Sequence, residues 1–278
     1  MRRIELHSYD TKEFARKYGP WAVIAGASEG TGASYAEQLA SMGVNLALAS
    51  RRSEALEELG ARLAKTHGIS FRSIVVDLMK DGAGAQLVQE TADLDVGLYV
   101  SNAGADGAGN SFLDSPVERS QNLLRMNAVT LVDATHGFGQ RFKRRGGGGI
   151  VIMSSGAGLG GQPWLGMYSA TKAFEVNFAE SLWAELQPDN IDVIGVCAPT
   201  MDTPTLRRAT AGTSFDIANA YSPDDVVHAT LANLGKEPLL IVPDGPEEAK
   251  IPQIQADRKQ RLIMLAEWAK AYTAGAKG

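Results

Sequence analysis

Trp21-Ala22-Val23-Ile24-Ala25-Gly26-Ala27-Ser28-Glu29-Gly30-Thr31-Gly32 is the stretch on which the reading of this chain turns. Its first five residues are apolar and read as a buried strand, three glycines then punctuate a turn, and a helical pattern follows. A strand that turns through glycines into a helix start exposes backbone N–H groups to an anion, because glycine has no Cβ to hold the backbone away. Gly26, Gly30 and Gly32 are therefore candidate phosphate-cradling residues, and Ser28 and Thr31 of the same loop are counted with them. The spacing is G-x-x-x-G-x-G and departs from the commoner G-x-G-x-x-G of dinucleotide folds. An ordinary glycine-rich turn is the plain alternative.

Outward from this stretch, apolar runs at 21–25, 45–50, 70–76, 96–100, 150–154, 192–197 and 239–242 alternate with helical patterns. Apolar strands separated by helices imply a parallel sheet covered on both faces: an α/β fold of three layers, doubly wound, with about seven strands. Gly43 and Gly68 fall where helices end, and Ser53, Ser115-Pro116-Val117-Glu118 and Ser222-Pro223-Asp224-Asp225 mark helix starts. Residues 1–19 read as a helical extension packed outside the sheet, with capping-box spacing at Asp10-Thr11-Lys12-Glu13 and a stop at Gly19-Pro20. Residues 20–245 form the main domain, including a loop-like segment at about 200–221. Residues 246–278 form a second helical extension.

In that second extension Ile251, Ile254, Leu262, Leu265, Ala266, Trp268 and Ala269 fall at mixed helical spacings between charged residues. Two readings stand: a helix packed on the domain's own surface, or one that reaches over a substrate mouth and supplies apolar walls.

A length of 278 residues, 44% hydrophobic and 21% charged, suffices for one large domain. A net charge of −5 with no basic stripe argues against nucleic acid as a partner. One cysteine, Cys197, excludes an intrachain disulfide framework, and in its apolar strand it reads as a packed thiol. The four histidines show no metal-ligand spacing, so no metal is expected. No run reaches the roughly 18 apolar residues of a membrane span and residues 1–19 lack a signal-like apolar stretch, so the expected location is the cytoplasm.

The chemistry is carried by Met167-Tyr168-Ser169-Ala170-Thr171-Lys172. On a helix, Tyr168 and Lys172 share a face, so a phenol stands beside an ammonium. A free Tyr titrates near ~10, and lowering it by about 3 units takes ~4 kcal/mol of differential interaction. One exposed ammonium cannot supply that; a second positive charge such as an oxidised nicotinamide would help. Thirteen residues upstream, Ser155 ends the apolar run from Ile150 and places a hydroxyl at a strand's carboxyl end. In open α/β sheets that is the side on which ligands bind. At the end of the second strand stand Arg51 and Arg52, where an acid would hold a ribose 2′-hydroxyl; two guanidiniums suit a 2′-phosphate instead. A solvated charge pair is the alternative there, and Glu29 opposes the phosphate reading mildly.

In order along residues 20–245, the glycine loop, Ser101-Asn102-Ala103-Gly104, Asn127, Ser155 and the Tyr168/Lys172 pair resemble the short-chain dehydrogenase/reductase family. Tyr18-Gly19-Pro20-Trp21-Ala22-Val23 is similar to its branch of 3-ketoacyl-coenzyme A reductases and 17-beta-hydroxysteroid dehydrogenases. The resemblance implies a Rossmann-type sheet and an NAD(P)-dependent oxidoreductase that interconverts a ketone or aldehyde with an alcohol. NADP(H) is the preferred cofactor and NAD(H) the alternative.

It further implies that Ser155 binds the carbonyl oxygen, Tyr168 moves the proton, Lys172 grips the nicotinamide ribose and Asn127 anchors a proton relay. Asp77 corresponds to an adenine contact, with a helix-capping Asp as the alternative. Asn102, Ala103 and Gly104 correspond to the turn that supports cofactor and sheet. Two departures are Ala25, where the family has Thr, and Pro199-Thr200-Met201-Asp202-Thr203, which lacks the family's glycine and is one residue short; Met201 is the candidate nicotinamide contact. The segment at 200–221 corresponds to the family's substrate lid.

The branch likeness points to a hydrophobic substrate, ketoacyl or steroid-like. Family members commonly pair the helices at about 116–145 and 168–187, and Phe174, Phe178, Leu182 and Trp183 give the latter more than one apolar face, so a homodimer or homotetramer is expected. The rivals are a dinucleotide-sensing regulator on the same fold, a sugar-nucleotide epimerase, and an NAD-dependent alcohol dehydrogenase.

Overall fold

The computed structural model describes residues 2, 4, 6–104, 111–214, 217–243 and 251–274, with side chains over 253–264 of the last stretch. Seven strands, β1 (Trp21–Ala25), β2 (Asn45–Ser50), β3 (Phe71–Val75), β4 (Val96–Ser101), β5 (Gly148–Met153), β6 (Ile191–Cys197) and β7 (Leu239–Ile241), make one parallel sheet in the order β3-β2-β1-β4-β5-β6-β7. The helices are α1 (Thr11–Tyr18), α2 (Gly30–Ser41), α3 (Ser53–His67), α4 (Ala83–Gln89), α5 (Val117–Leu124), α6 (Thr130–Arg145), α7 (Gly166–Leu186), α8 (Pro204–Thr210), α9 (Pro223–Asn233) and α10 (Ile251–Ala274).

Alternation along the strands builds two cores. On β1, Ala22 and Ile24 face a cluster with Tyr35 and Leu39 of α2, Leu56 of α3 and Val227 of α9. Val23 and Ala25 face the opposite cluster with Leu87 of α4, Phe138 of α6 and Trp183 of α7. Helices thus cover both sides of the sheet. The strand order reverses between β1 and β4, which opens a crevice at their carboxyl ends.

Helix α1 starts at Asp10, whose carboxylate accepts from the N–H groups of Lys12 and Glu13 at 2.9 and 3.0 Å. It packs against the amino-terminal ends of β4 and β5. Phe14 and Tyr18 are buried, and Tyr18 packs beneath Gly97 at the start of β4 and Gly149 at the start of β5, where its hydroxyl donates to Asp192 at 2.7 Å. The two aromatics need burial, so α1 closes the amino-terminal edge of the strands, opposite the crevice. Of the expected helix starts, Ser222 caps α9 by accepting from Asp224 N–H, whereas Ser53 is already inside α3 and Ser115 donates to Ser111 O instead of capping α5.

The segment expected as a loop after β6 contains α8. Pro204 presets its first turn and Thr203 caps it by accepting from Leu206 N–H at 3.1 Å. Helix α10 lies against α7 and β7: Arg258 makes a fork to Glu180 at 2.6 Å on both arms, and Ile254 packs against Leu239 and Ile241. Over 253–264, therefore, it rests on the chain's own surface. Leu265, Ala266, Trp268 and Ala269, and the side chain of Ile251, lie outside the described residues.

Candidate functional site

A cleft of about 1410 Å³ opens at the carboxyl ends of the strands. It is bounded by the β1–α2 loop, the ends of β2 to β5, the start of α7 and helix α8. Gly26, Ser28, Gly30, Thr31, Arg51, Arg52, Asp77, Asn102, Ala103, Gly104, Ser155, Tyr168, Lys172 and Met201 all line it, although they span 175 positions in sequence, from 26 to 201. Gly32 and Asn127 stand behind that lining.

The glycine loop is held by close approach. A Cβ on Gly32 would stand 2.0 Å from the Gly26 carbonyl oxygen and 2.8 Å from Asn102 Nδ2. A Cβ on Gly26, itself at φ +83°, would meet Ala103 at 2.9 Å. Asn102 Nδ2 donates to Gly26 O at 3.0 Å and the N–H groups of Asn102 and Ala103 both donate to Ala25 O, so the turn after β4 braces the loop after β1. Glu29 occupies the cap position of α2 without a side-chain bond to the helix, which leaves the N–H groups of its first turn directed at the cleft.

Glu29 is instead turned to three partners. Arg208 and Thr205 of α8 reach it, the hydroxyl at 2.6 Å, and Arg52 pairs with it at 2.8 Å. The Arg208 guanidinium, with Thr205 and Arg52, holds its carboxyl down at about 2. Arg52 also donates to Ser28 Oγ at 2.9 Å. Sequence reading saw Glu29 and Arg52 as neighbours but not the α8 clasp, whose residues lie 176 and 179 positions away. Asp77 Oδ1 accepts from Met79 N–H at 3.1 Å, so it shapes a local turn; α4 is capped at Gly82.

Ser155 lies two residues past β5 with its hydroxyl accepting from Ala157 N–H at 3.2 Å. Tyr168 is in the first turn of α7, and Lys172 Nζ sits 5.7 Å from its ring centroid. The ammonium is not the exposed one the sequence reading assumed: Lys172 is 2% exposed. Its Nζ donates to Met153 O at 2.9 Å and to Glu175 at 3.1 and 2.9 Å. Glu175 was missed, although its i+3 spacing from Lys172 within an apolar helix face was visible.

Asn127 lies in a π-turn, Arg125–Val129, between α5 and α6. The widened turn directs it inward, where Nδ2 donates to Thr171 Oγ1 at 2.9 Å and Oδ1 is buried with no partner among the described residues. A Cβ on Gly104 would meet Lys172 Nζ at 2.6 Å and Asn127 Oδ1 at 2.9 Å, so the two groups converge on one spot behind this glycine. The neighbours of Met201 bridge to Tyr221: Tyr221 N–H donates to Thr200 O and Asp202 N–H to Tyr221 O, both at 2.9 Å, so the bridge does not use Met201's own amide.

The outer part of the cleft is apolar, with Leu159, Trp164 and Leu206 on its walls. Trp164 is 69% exposed and sits at φ +68°, a left-handed conformation that costs a non-glycine residue energy. Among the described residues no group of three or more His, Cys, Asp or Glu gathers to hold a metal, and no helix is long and apolar enough to cross a membrane. A helix start that accepts anions next to a Ser, a Tyr and a buried Lys can bind a phosphorylated cofactor and move a proton at an oxygen beside it.

Known proteins resemble this chain in sequence and fold. The model of the family described as short chain dehydrogenase matches residues 20–214. A 7beta-hydroxysteroid dehydrogenase of Mediterraneibacter gnavus is 32% identical over 80% of this chain and 85% of its own length. Human 17-beta-hydroxysteroid dehydrogenase type 3 is 35% identical over 68% of this chain and 61% of its own. A short-chain dehydrogenase from Sphingobium yanoikuyae, solved in complex with NADPH, superposes with a TM-score of 0.77 at 28% identity, covering 88% of this chain and 96% of that one.

Proposed function

This chain belongs to the short-chain dehydrogenase/reductase family, an oxidoreductase of the CH–OH/C=O class, and on that premise we propose that it interconverts a bulky hydrophobic ketone and its alcohol with NADP(H). The observation that carries the reading is the convergence of Ser155, Tyr168 and Lys172 in one cleft with the uncapped start of α2. The residues present fit a dinucleotide: the glycine loop has no room for a Cβ at Gly26 or Gly32, and the orphaned Asn127 Oδ1 offers an acceptor beside Lys172. A cleft of about 1410 Å³ exceeds the roughly 300–1,000 Å³ of a small-ligand pocket, as cofactor and substrate together require.

The bound cofactor supplies or takes the hydride. In the direction of reduction, the Ser155 hydroxyl donates to the carbonyl oxygen and fixes its position. Tyr168 passes its phenolic proton to the same oxygen as negative charge develops there. Lys172 would hold the cofactor's ribose. Asn127 Oδ1 accepts from the water that refills the proton. Leu159, Trp164 and Leu206, which line the cleft, would meet the substrate's apolar body, with α8 over it. The names of the steroid-dehydrogenase relatives support a ring-shaped or similarly bulky substrate. Following NADPH consumption over a panel of steroid, ketoacyl and small ketones tests this; turnover of small ketones alone would refute the bulky-substrate reading.

Arg51 and Arg52 are the proposed grip on the 2′-phosphate. Charge-assisted bonds contribute about 1.5–3 kcal/mol, so Arg51→Ala and Arg52→Ala should each raise KM for NADPH by about tenfold or more and leave that for NADH nearly unchanged. Equal use of both cofactors by the unaltered protein would show that Glu29, which pairs with Arg52, dominates the local field.

We also propose a homo-oligomer through α5, α6 and α7. Trp183 does not contribute, being turned into the core, but Leu124, Val129, Val132 and Phe174 are 43, 48, 38 and 39% exposed. Light scattering should return two or four times 29.5 kDa at micromolar concentration; a mass near one chain would refute pairing.

A further inference from the structure

Lys172 has three N–H donors, and all three are spoken for: Met153 O at 2.9 Å and the two Glu175 oxygens at 3.1 and 2.9 Å. The role proposed for this lysine requires it to donate to the ribose of a dinucleotide. Those bonds can form only at the expense of bonds present here. The Met153 carbonyl belongs to the end of β5 and loses little, because a neutral acceptor at a cleft wall can be met by water. Glu175 is different, for it is 3% exposed and, among the described residues, Lys172 is the cation paired with it. A buried carboxylate that loses its cation is strongly destabilised unless it becomes neutral.

We propose that Glu175 is a positioning residue that holds the Lys172 ammonium in reserve and takes up one proton from solvent when the dinucleotide's ribose claims that ammonium. No electrons move: the carboxylate becomes a carboxylic acid, and the hydroxyl so formed can then donate to the Ser154 oxygen or the Met153 carbonyl. The inference rests on the reading that Lys172 engages the cofactor.

The surroundings leave Glu175 as the group that titrates. On α7, Glu180 is matched by the Arg258 fork from α10 at 2.6 Å on both arms. On β6, burial pushes the Cys197 thiol up to about 12, so it stays neutral. Tyr168 faces Lys172 with its ring. Burial pushes the Glu175 carboxyl up to about 7, against the charge and hydrogen bonds of Lys172 and the bond from Ser154, which hold it down. Withdrawing Lys172 removes the main restraint, so the carboxyl's affinity for protons rises further on binding.

Calorimetric titration of the full chain with NADPH at pH 7.5, repeated in buffers of different ionisation enthalpy, counts the protons taken up. The wild type should take up more protons than Glu175→Gln, by up to one per NADPH bound, since the variant keeps an acceptor for Lys172 and has no charge to lose. Glu175→Gln should also bind NADPH more tightly, since it yields the ammonium more readily. Equal proton counts in the two proteins overturn the assignment. The wild type alone gives a second reading: its count must fall as the pH is lowered from 7.5 to 5.5, where Glu175 is already protonated before binding, and a count that stays constant likewise overturns it. NADPH that produces no binding in either protein overturns the dinucleotide reading itself, a result distinct from binding with equal counts.

Discussion

Tyr168→Phe is expected to bind NADPH within about twofold of the unaltered protein and to lose about 10²–10⁴-fold or more in kcat. The ring that packs over Lys172, 5.7 Å from Nζ to centroid, is kept, so the cleft keeps its shape. What disappears is the phenolic hydroxyl proposed to give a proton to the developing alkoxide. Steady-state rates with a responsive ketone, together with cofactor fluorescence to confirm binding, check both halves. A variant that retained most of its kcat would remove Tyr168 from the mechanism.

Gly32→Ala carries the second large effect, and it acts on the other half of the site. The new methyl would stand 2.0 Å from the Gly26 carbonyl oxygen, a backbone atom fixed by Asn102 on one side and by β2 on the other. Neither can rotate aside, so the loop itself must move. Forcing a methyl into a packed site costs about 1–3 kcal/mol. On the proposal that the displaced groups cradle the cofactor's phosphates, NADPH affinity should fall about 10- to 100-fold. Gly139→Ala is the control: it lies within α6 with nothing within 4 Å of its Cβ position, and it should leave affinity unchanged. Fluorescence titration distinguishes them; a Gly32→Ala protein that binds normally would show that the loop does not hold the phosphates.

Much of this molecule was legible because its signals are local. The expected strands became the seven observed ones within one or two residues at each end, since the inner strands of a doubly covered parallel sheet are largely apolar; the edge strand β3, with Arg72 and Ser73, was found despite its polar residues. The glycine loop was recognisable because strand, turn and helix start follow one another without interruption. Tyr168 and Lys172 came together because i and i+4 on a helix have no choice. Ser155 joined them because the carboxyl ends of parallel strands all open on the same side.

What the amino-acid sequence determined by itself was thus the order of elements and the residues that face the crevice. The tertiary structure decided how those residues are charged and held. Glu29 is bound to Arg208 and Thr205, 179 and 176 positions away, a contact no periodicity encodes. Lys172 looked solvated and is buried against Glu175, because the end of β5 and the π-turn at Asn127 close over it. Helix α1 looked like an outer extension and plugs the far edge of the sheet, because Tyr18 finds Asp192 174 residues on. Local spacing is set by backbone geometry and survives in the sequence. Burial and ion pairing depend on which distant segments meet, so they exist only in the fold.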